Sequence, residues 1–375
     1  MRRKRVLHMA HIRWFNAEAQ YALDLALEMQ RGGVHVVFFG QTGSPGVARA
    51  RRAGLEVAEE AGFNGKGLGA LRAVPAAVRL LRRLRRQRFD AVEVHRSEAL
   101  PLVALACRLA GVPVVRVRGD MRPVRADPLN RFLYRSVLSG VVASNDAIAG
   151  DLKRRFRLGS RVRTIHGGVN EQVFCPEGPR ADVRTELGFP QDAFLVGILG
   201  RIGSIKGHGD FLTAARQVSQ ERNELRFVIL DKSQEPGGDV LRAQVASDTL
   251  LRGRVGFLGH QEDLPVVLRA FDLGVVASVG SEANCRVGLE WMACGVPLLA
   301  TRIGVLPDLV EEAQTGYLVP PASASALAEK IVYLARQPAE VRRLGSAARR
   351  RVLERFTLAH CAAAHEAFIR ELVPR

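Results

Sequence analysis

Two carboxylates and two cations carry the chemistry most legible in this chain. Glu282 and Glu290 stand eight positions apart in the run Ser281-Glu282-Ala283-Asn284-Cys285-Arg286-Val287-Gly288-Leu289-Glu290-Trp291-Met292. Upstream, Gly200-Arg201-Ile202-Gly203-Ser204-Ile205-Lys206-Gly207 sets an arginine and a lysine among glycines. A planar guanidinium fork and a compact ammonium both suit a diphosphate. Carboxylates accept from hydroxyl groups, so a sugar hydroxyl would suit Glu290. Each feature has a plainer alternative. A charged loop is often solvated surface, and an acid at a helix entrance often does no more than complement the helix dipole. Glu290 is harder to dismiss. Beside Trp291 and Met292 inside a helix it needs a polar partner, because an unpaired buried carboxylate is costly. The glycine spacing is neither G-x-x-x-x-G-K-[ST] nor G-x-G-x-x-G, which excludes a P-loop and leaves a nicotinamide fingerprint unsupported.

The elements that must hold these residues read as strand, loop, helix and strand. Residues 273–279 are an apolar run, a helix starts near Cys285, Gly295 stops it, and residues 296–300 are apolar again. A helix starting there offers free N–H groups and the positive end of its dipole to an anion. The Arg201–Lys206 loop follows a strand over 194–199 and precedes a helix over 210–220. In open α/β sheets ligands bind at such carboxyl ends of strands.

The same alternation runs through the whole chain and predicts parallel sheets. Strands are expected over 6–12, 34–39, 90–95, 112–117, 140–144 and 162–165, with helices between them at 17–30, 71–89, 99–110, 129–139 and 146–156. Residues 40–70 read as irregular. The helix over 71–89 places Leu71, Val74, Val78, Leu81 and Leu84 on one side, with Arg79, Arg82, Arg83, Arg85, Arg86 and Arg88 crowding the rest. His8 and His11 sit near the end of the first strand and His95 closes another, where they could reach an acceptor. A satisfied strand-end histidine is the equal alternative. Pro176, Gly178, Pro179 and Pro190 mark a linker. The expected division is 1–174, 175–356 and a tail helix within 357–375. The second part continues with strands at 225–230, 254–258 and 316–319, helices at 239–249, 264–270, 323–337 and 339–356, and a segment over 308–312 before the last strand.

At 375 residues the chain is long for a single core and suggests two domains. The net charge of +17 lies wholly in residues 1–175, which carry 31 Lys+Arg against 14 Asp+Glu; the remainder is balanced. Such asymmetry points to an anionic partner for the first domain. The amphipathic basic helix around Arg79–Arg88 favours an anionic bilayer over a merely solvated face. Nucleic acid is disfavoured, since aromatics are only 6% and do not interleave with the cations. The five cysteines form no C-x-x-C pair, which argues against a zinc module and fits a reducing compartment. Residues 1–13 read as a basic start to a strand rather than a signal peptide, and no apolar run reaches membrane-spanning length.

The motifs together resemble the retaining family-4 glycosyltransferases of GT-B fold. Glu282 to Glu290, followed by Met292-Ala293-Cys294-Gly295-Val296-Pro297, resembles the family's E-x7-E region. Gly200-Arg201 with Lys206-Gly207 resembles its G-R-x(4)-K-G loop, and His166-Gly167-Gly168-Val169-Asn170 through Phe174 its interdomain segment. Gly304 to Pro307 and Thr315 to Pro320 are similar to the next two turns. The resemblance implies two Rossmann-like domains with parallel sheets facing across a cleft, and a tail helix that packs back on the first. It implies that Arg201 and Lys206 bind the donor's diphosphate and replace a metal. Glu290 would hold the ribose. Gly200, Glu282, Arg286 and the N–H groups of Ala283, Asn284 and Cys285 would surround the donor sugar and phosphates. Transfer would retain anomeric configuration, the leaving phosphate oxygen taking the acceptor's proton. No cofactor or metal is expected, only a nucleotide-diphosphate sugar as co-substrate. The acceptor would be a glycolipid or polysaccharide precursor at the inner face of the cytoplasmic membrane.

The chain also departs from that pattern. Asn284 stands where the family often has an aromatic residue, and Arg286 adds a charge. Arg118-Gly119-Asp120 stands where a histidine pair is common, so Arg118, Asp120 or His95 could take its role. Asp231-Lys232-Ser233 replaces a glycine-rich turn. The rival on the same fold is a nucleotide-sugar epimerase; the rival outside it is a basic nucleic-acid-binding protein.

Overall fold

A computed structural model describes residues 3–63, 73–96, 99–232 and 238–373. Contacts divide the chain into two compact units. The first runs up to Gly167 and takes in the chain from Leu358 onward; the second is Gly168–Thr357. The expected boundary at 174/175 thus lies at 167/168. The reason is local bonding: the Val169 amide donates to the Phe356 carbonyl at 2.9 Å, and Arg349 donates to the carbonyls of Phe174 and Glu171 at 2.9 and 3.0 Å.

In the first unit β1 (Arg5–Ala10), β2 (His35–Gln41), β3 (Glu56–Glu60), β4 (Ala91–Val94), β5 (Val114–Arg118), β6 (Gly140–Ala143) and β7 (Val162–Thr164) form one parallel sheet in the order β3-β2-β1-β4-β5-β6-β7. Its helices are α1 (Ala17–Arg31), α2 (Pro45–Arg52), α3 (Val74–Gln87), α4 (Leu100–Ala110), α5 (Pro128–Phe132) and α6 (Asp146–Phe156). In the second unit β8 (Phe194–Gly200), β9 (Leu225–Asp231), β10 (Val255–Leu258), β11 (Leu273–Val276), β12 (Leu298–Thr301) and β13 (Gly316–Val319) pair in the order β10-β9-β8-β11-β12-β13, again all parallel. The helices there are α7 (Val183–Glu186), α8 (His208–Glu221), α9 (Asp239–Ser247), α10 (Leu264–Leu268), α11 (Arg286–Ala293), α12 (Leu306–Leu309), α13 (Ala324–Ala335) and α14 (Pro338–Arg355). The last helix, α15 (Leu358–Leu372), packs on α1 in the first unit.

The strands are short apolar runs because both faces of each sheet are covered. Successive side chains of a strand point to opposite faces. Accordingly Leu195 and Leu199 of β8 join one buried cluster of the second unit, and Val196 and Ile198 join the other.

Three expectations change. Residues 40–63 are not irregular: Ser44 caps α2, Pro45 occupies its first turn, and β3 adds an edge strand to β2. The buried stripe of α3 is Ala76, Ala77, Leu80 and Leu84, not the stripe through Val74 and Val78, which stay 41% and 40% exposed. The helix packs beside α4. Leu71, expected in the same helix, lies outside the described residues, as do residues 64–70 and Ser233. Finally, the helix expected over 129–139 is α5 followed by a π-turn over Leu133–Val137.

Candidate active site

The second unit brings the two acids and two lysines together at the carboxyl edge of its sheet. Beyond β11 the chain turns into the loop that carries Glu282. That loop is pinned from below: Thr301 donates to the Ser278 carbonyl at 2.6 Å, and the Val305 amide donates to the Glu282 carbonyl at 2.8 Å. Gly304 makes this approach possible. Its φ is +57°, and a β-carbon there would collide with the Glu282 carbonyl. Cys285 then adopts the left-handed region (φ 36°) and α11 begins with no side-chain cap.

Glu282 is 4% exposed and accepts from two sides. Ser278 Oγ donates to its Oε1 at 2.5 Å, and Lys206 forms an ion pair with the same oxygen. Lys206 arrives from the loop after β8, where Gly207 has φ +73° against the Ala277 carbonyl and the Val279 amide donates to the Ile205 carbonyl at 2.9 Å. Glu290, one and a half turns into α11, is 2% exposed. It accepts from Lys232 Nζ at 2.6 Å through Oε2, and Arg286 Nη2 lies 3.8 Å from Oε1. Trp291 fixes the rotation of α11. Its ring is fully buried, lies against Gly274 and Gly197, and meets Phe271 edge-on at 5.2 Å.

Of the remaining sequence candidates, Ala283, Asn284 and Arg286 are partly exposed around the start of α11, and the Asn284 amide oxygen is enclosed without a hydrogen-bond partner. Cys285 is 5% exposed, and burial, with Glu282 beside it, pushes its thiol well above the ordinary value. Arg201 is exposed and, among the described residues, makes no hydrogen bond or ion pair. The geometry therefore joins Lys206 to Glu282 and leaves Arg201 unengaged. Lys232 was read only as a departure from a glycine-rich turn. Its place at the carboxyl end of β9, beside the Arg201–Lys206 loop, was the available signal.

In the first unit the histidines do not present an open face. His8, His11 and His95 are 0%, 4% and 1% exposed. His8 Nδ1 donates to Glu93 Oε2 at 3.2 Å, and His365 of α15 donates from Nδ1 to Glu93 Oε1 at 2.7 Å. Tyr21 of α1 lies 3.0 Å from the other His365 nitrogen. Burial alone would raise the Glu93 carboxyl, yet His365 and His8 hold it far below the usual carboxylate range. Burial likewise opposes a charge on His365, but Glu93 raises it to about 10. Burial and the adjacent His8 keep His95 well below the usual imidazole value. Among the described residues, His8, Glu93 and His95 are the group whose ligand atoms lie close enough, within 4.8 Å, for metal-binding chemistry. Arg118 is buried and donates to the Arg122 carbonyl; Asp120 pairs with Arg122 at 2.9 Å.

Two parallel α/β units of this strand order, the second carrying a pinned acid loop beside a lysine loop, are the architecture of GT-B glycosyltransferases. Solved structures share the fold. A glycosyltransferase from Rickettsia africae superposes with a TM-score of 0.87 over 100% of both chains at 18% identity. Anabaena HepE, determined with UDP, superposes with a TM-score of 0.81 over 98% of this chain and 100% of its own at 20% identity. In sequence, the model of the family described as glycosyltransferase family 4 matches residues 19–173, and that of glycosyl transferases group 1 matches residues 179–351. The chain belongs to this family of group 1, family-4 glycosyltransferases. A D-inositol 3-phosphate glycosyltransferase of Streptomyces scabiei is 31% identical over 268 residues, 68% of this chain and 56% of that protein. An alpha-maltose-1-phosphate synthase of Mycolicibacterium smegmatis is 27% identical over 285 residues, 69% of this chain and 73% of its own. The chain spans between 55% and 65% of the length of the D-inositol 3-phosphate glycosyltransferases it matches.

Proposed function

We propose that this protein transfers a sugar, with retention, from a nucleotide-diphosphate donor to an anionic or membrane-borne acceptor. The observation that carries the reading is the pair of buried carboxylates, Glu282 and Glu290, each held by a lysine at the carboxyl edge of the second sheet. Lys206 and Arg201 bind the diphosphate and stabilise the departing nucleotide as the sugar–phosphate bond breaks. Glu282, with the backbone N–H groups of Ala283, Asn284 and Cys285 and the approach allowed by Gly200, holds the donor sugar. Arg286 adds a cation beside it, and Glu290 holds the ribose. The acceptor hydroxyl forms the new glycosidic bond and gives its proton to the leaving phosphate oxygen. The UDP bound by HepE supports a nucleotide-diphosphate ligand.

The acceptor in this reading is a glycolipid or polysaccharide precursor at the inner face of the cytoplasmic membrane. Val74 and Val78 of α3, and Leu105 and Leu109 of the adjoining α4, stand 40–56% exposed next to Arg82, Arg85 and Arg86. Exposed apolar residues rimmed by cations suit an anionic bilayer. No described helix is long and apolar enough to cross a membrane. The names of the inositol-phosphate and maltose-phosphate relatives favour a second acceptor class, a free phosphorylated polyol or sugar.

A thermal-shift screen of nucleotide sugars, followed by product analysis with phosphorylated and lipid-linked acceptors, tests the reading, since a ligand that binds the folded state raises its stability. The donor assignment fails if Glu290→Ala and Lys206→Ala both leave transfer from every accepted donor unchanged. For the membrane, Val78→Asp with Leu109→Asp should abolish flotation with phosphatidylglycerol vesicles. Equal binding of the double variant to those vesicles would remove the bilayer from the account.

A further inference from the structure

A buried carboxylate that waits for a ribose hydroxyl faces a difficulty: without the ligand it would be an uncompensated charge. In this protein Glu290 does not wait. It is 2% exposed, and Lys232 Nζ already donates to Oε2 at 2.6 Å. Lys232 comes from the end of β9, a different loop from the one that supplies Lys206, and its side chain is 34% exposed. Its ammonium therefore reaches in from the rim to neutralise a group that α11 and Trp291 hold rigidly. Arg286, at 3.8 Å from Oε1, is beyond hydrogen-bond distance, so Oε1 retains accepting capacity. A carboxylate oxygen pair offers about four lone-pair sites. One oxygen can keep the lysine while the other takes a ligand hydroxyl.

We infer that Lys232 sets the sugar tolerance of the nucleotide subsite: by keeping Glu290 paired with or without a ligand hydroxyl, it lets the site accept donors built on ribose or on 2′-deoxyribose. The inference rests on the assignment of Glu290 to the nucleoside sugar. Its physical basis is the cause of strict hydroxyl selection. A site rejects an analogue lacking a hydroxyl, by factors of about 10,000 to 100,000, when the loss strands a buried polar group. Glu290 is not stranded while Lys232 holds it, so loss of the 2′-hydroxyl costs one shared hydrogen bond and no more. The substrate class thereby includes 2′-deoxyribonucleoside-diphosphate sugars alongside ribonucleotide ones.

The test compares dissociation constants, by calorimetry, for UDP and 2′-deoxy-UDP, GDP and 2′-deoxy-GDP, and ADP and 2′-deoxy-ADP. Wild-type protein should prefer the ribose form of its best base by less than about 10-fold. Lys232→Met should widen that preference to about 100-fold or more, because Glu290 then depends on the hydroxyl. Lys232→Arg, which restores a cation, should return the ratio to within a few-fold of wild type. A merely structural lysine would weaken both members of each pair equally and leave the ratio unmoved. That result overturns the inference, as does a wild-type ratio above about 100-fold, which needs no variant to fold. If wild-type protein binds none of the six diphosphates, the nucleotide-donor reading falls first and takes this inference with it; binding with an unmoved ratio defeats the inference alone.

Discussion

Glu93 and Glu290 are equally sealed from solvent, at 0% and 2% exposure, yet their counter-charges differ in kind. Glu93 sits inside β4 and is clasped by imidazoles from β1 and from the tail helix α15, all fully buried. Glu290 and Glu282 are met by lysines whose side chains are 34% and 37% exposed. An imidazole packed from every side has no alternative position. An ammonium on a four-carbon stem can move aside without unpacking anything. One arrangement commits both carboxylate oxygens to joining the two ends of the chain; the other leaves room for a ligand, since Lys206 can move aside from Glu282 and Lys232 occupies one oxygen of Glu290. The comparison predicts that substitutions on the first side change stability and on the second side change binding and rate.

The largest effect is expected at Glu93. Removing one partner of a buried ion pair leaves an uncompensated charge, at a cost of about 3–5 kcal/mol. Glu93→Ala should therefore lower the thermal midpoint by roughly 6–20 °C, with nucleotide affinity unchanged at temperatures where the protein stays folded. Calorimetric scans with and without nucleotide check both halves. A stable Glu93→Ala protein that no longer bound nucleotide would break the comparison.

Lys206→Ala should do the reverse. Loss of a cation on the leaving diphosphate should reduce kcat/KM by about 100- to 1,000-fold. Ser278 still donates to Glu282, and the lost partner is partly solvated. The thermal midpoint should accordingly fall by only about 2–4 °C, equivalent to about 1 kcal/mol. Steady-state rates beside melting curves of the same sample decide it.

The imidazole clasp also has a pH signature. His365 rises from 6.5 to about 10 on folding. Its contribution is complete below 6.5 and is lost as pH rises toward 10. Glu93 is held below its ordinary value of 4.5, so the same interaction is lost again as pH falls through the lowered value. His95, kept neutral, works against stability below 6.5, where the unfolded chain takes up its proton. Stability should decline between pH 6.5 and 10, and His365→Gln should flatten that limb while lowering its plateau. Melting temperatures of both proteins across that range provide the check. An equal alkaline slope in the variant would assign the effect elsewhere.

What was legible in the sequence follows the range of the interactions. Strand–helix alternation is local, and it placed the parallel sheets, the helix start at Cys285 and both acids. The stripe of α3 is misjudged from sequence because alanines at 76 and 77 count weakly as apolar, although both are buried. The helix α2 and edge strand β3 were missed because their short amphipathic runs lie beside glycine-rich residues. Nothing local joins Glu93 to His365, 272 positions on, or Lys232 to Glu290, 58 positions on. Those pairs exist only once the sheets have formed. The fold was therefore more legible than the partners of its buried charges.

The smallest effect tests whether the mobile side of the comparison is mobile throughout. Ser278 is 1% exposed, and its hydroxyl donates to the same Glu282 oxygen that Lys206 meets. If the lysine alone positions the acid, Ser278→Ala should alter neither affinity nor rate. If the serine fixes the carboxylate while the lysine comes and goes, its loss costs one charge-assisted hydrogen bond, about 1.5–3 kcal/mol at most. That cost should be divided between a small drop in melting temperature and a rise of about 5-fold in the KM for the donor, with kcat little changed. The second outcome is expected. Thr301 and the Val305 amide anchor the same loop from beneath, and a loop pinned at these two points is built to hold its acid still while the cation exchanges. A fall in kcat equal to that of Lys206→Ala would instead show the serine acting on the reacting groups themselves.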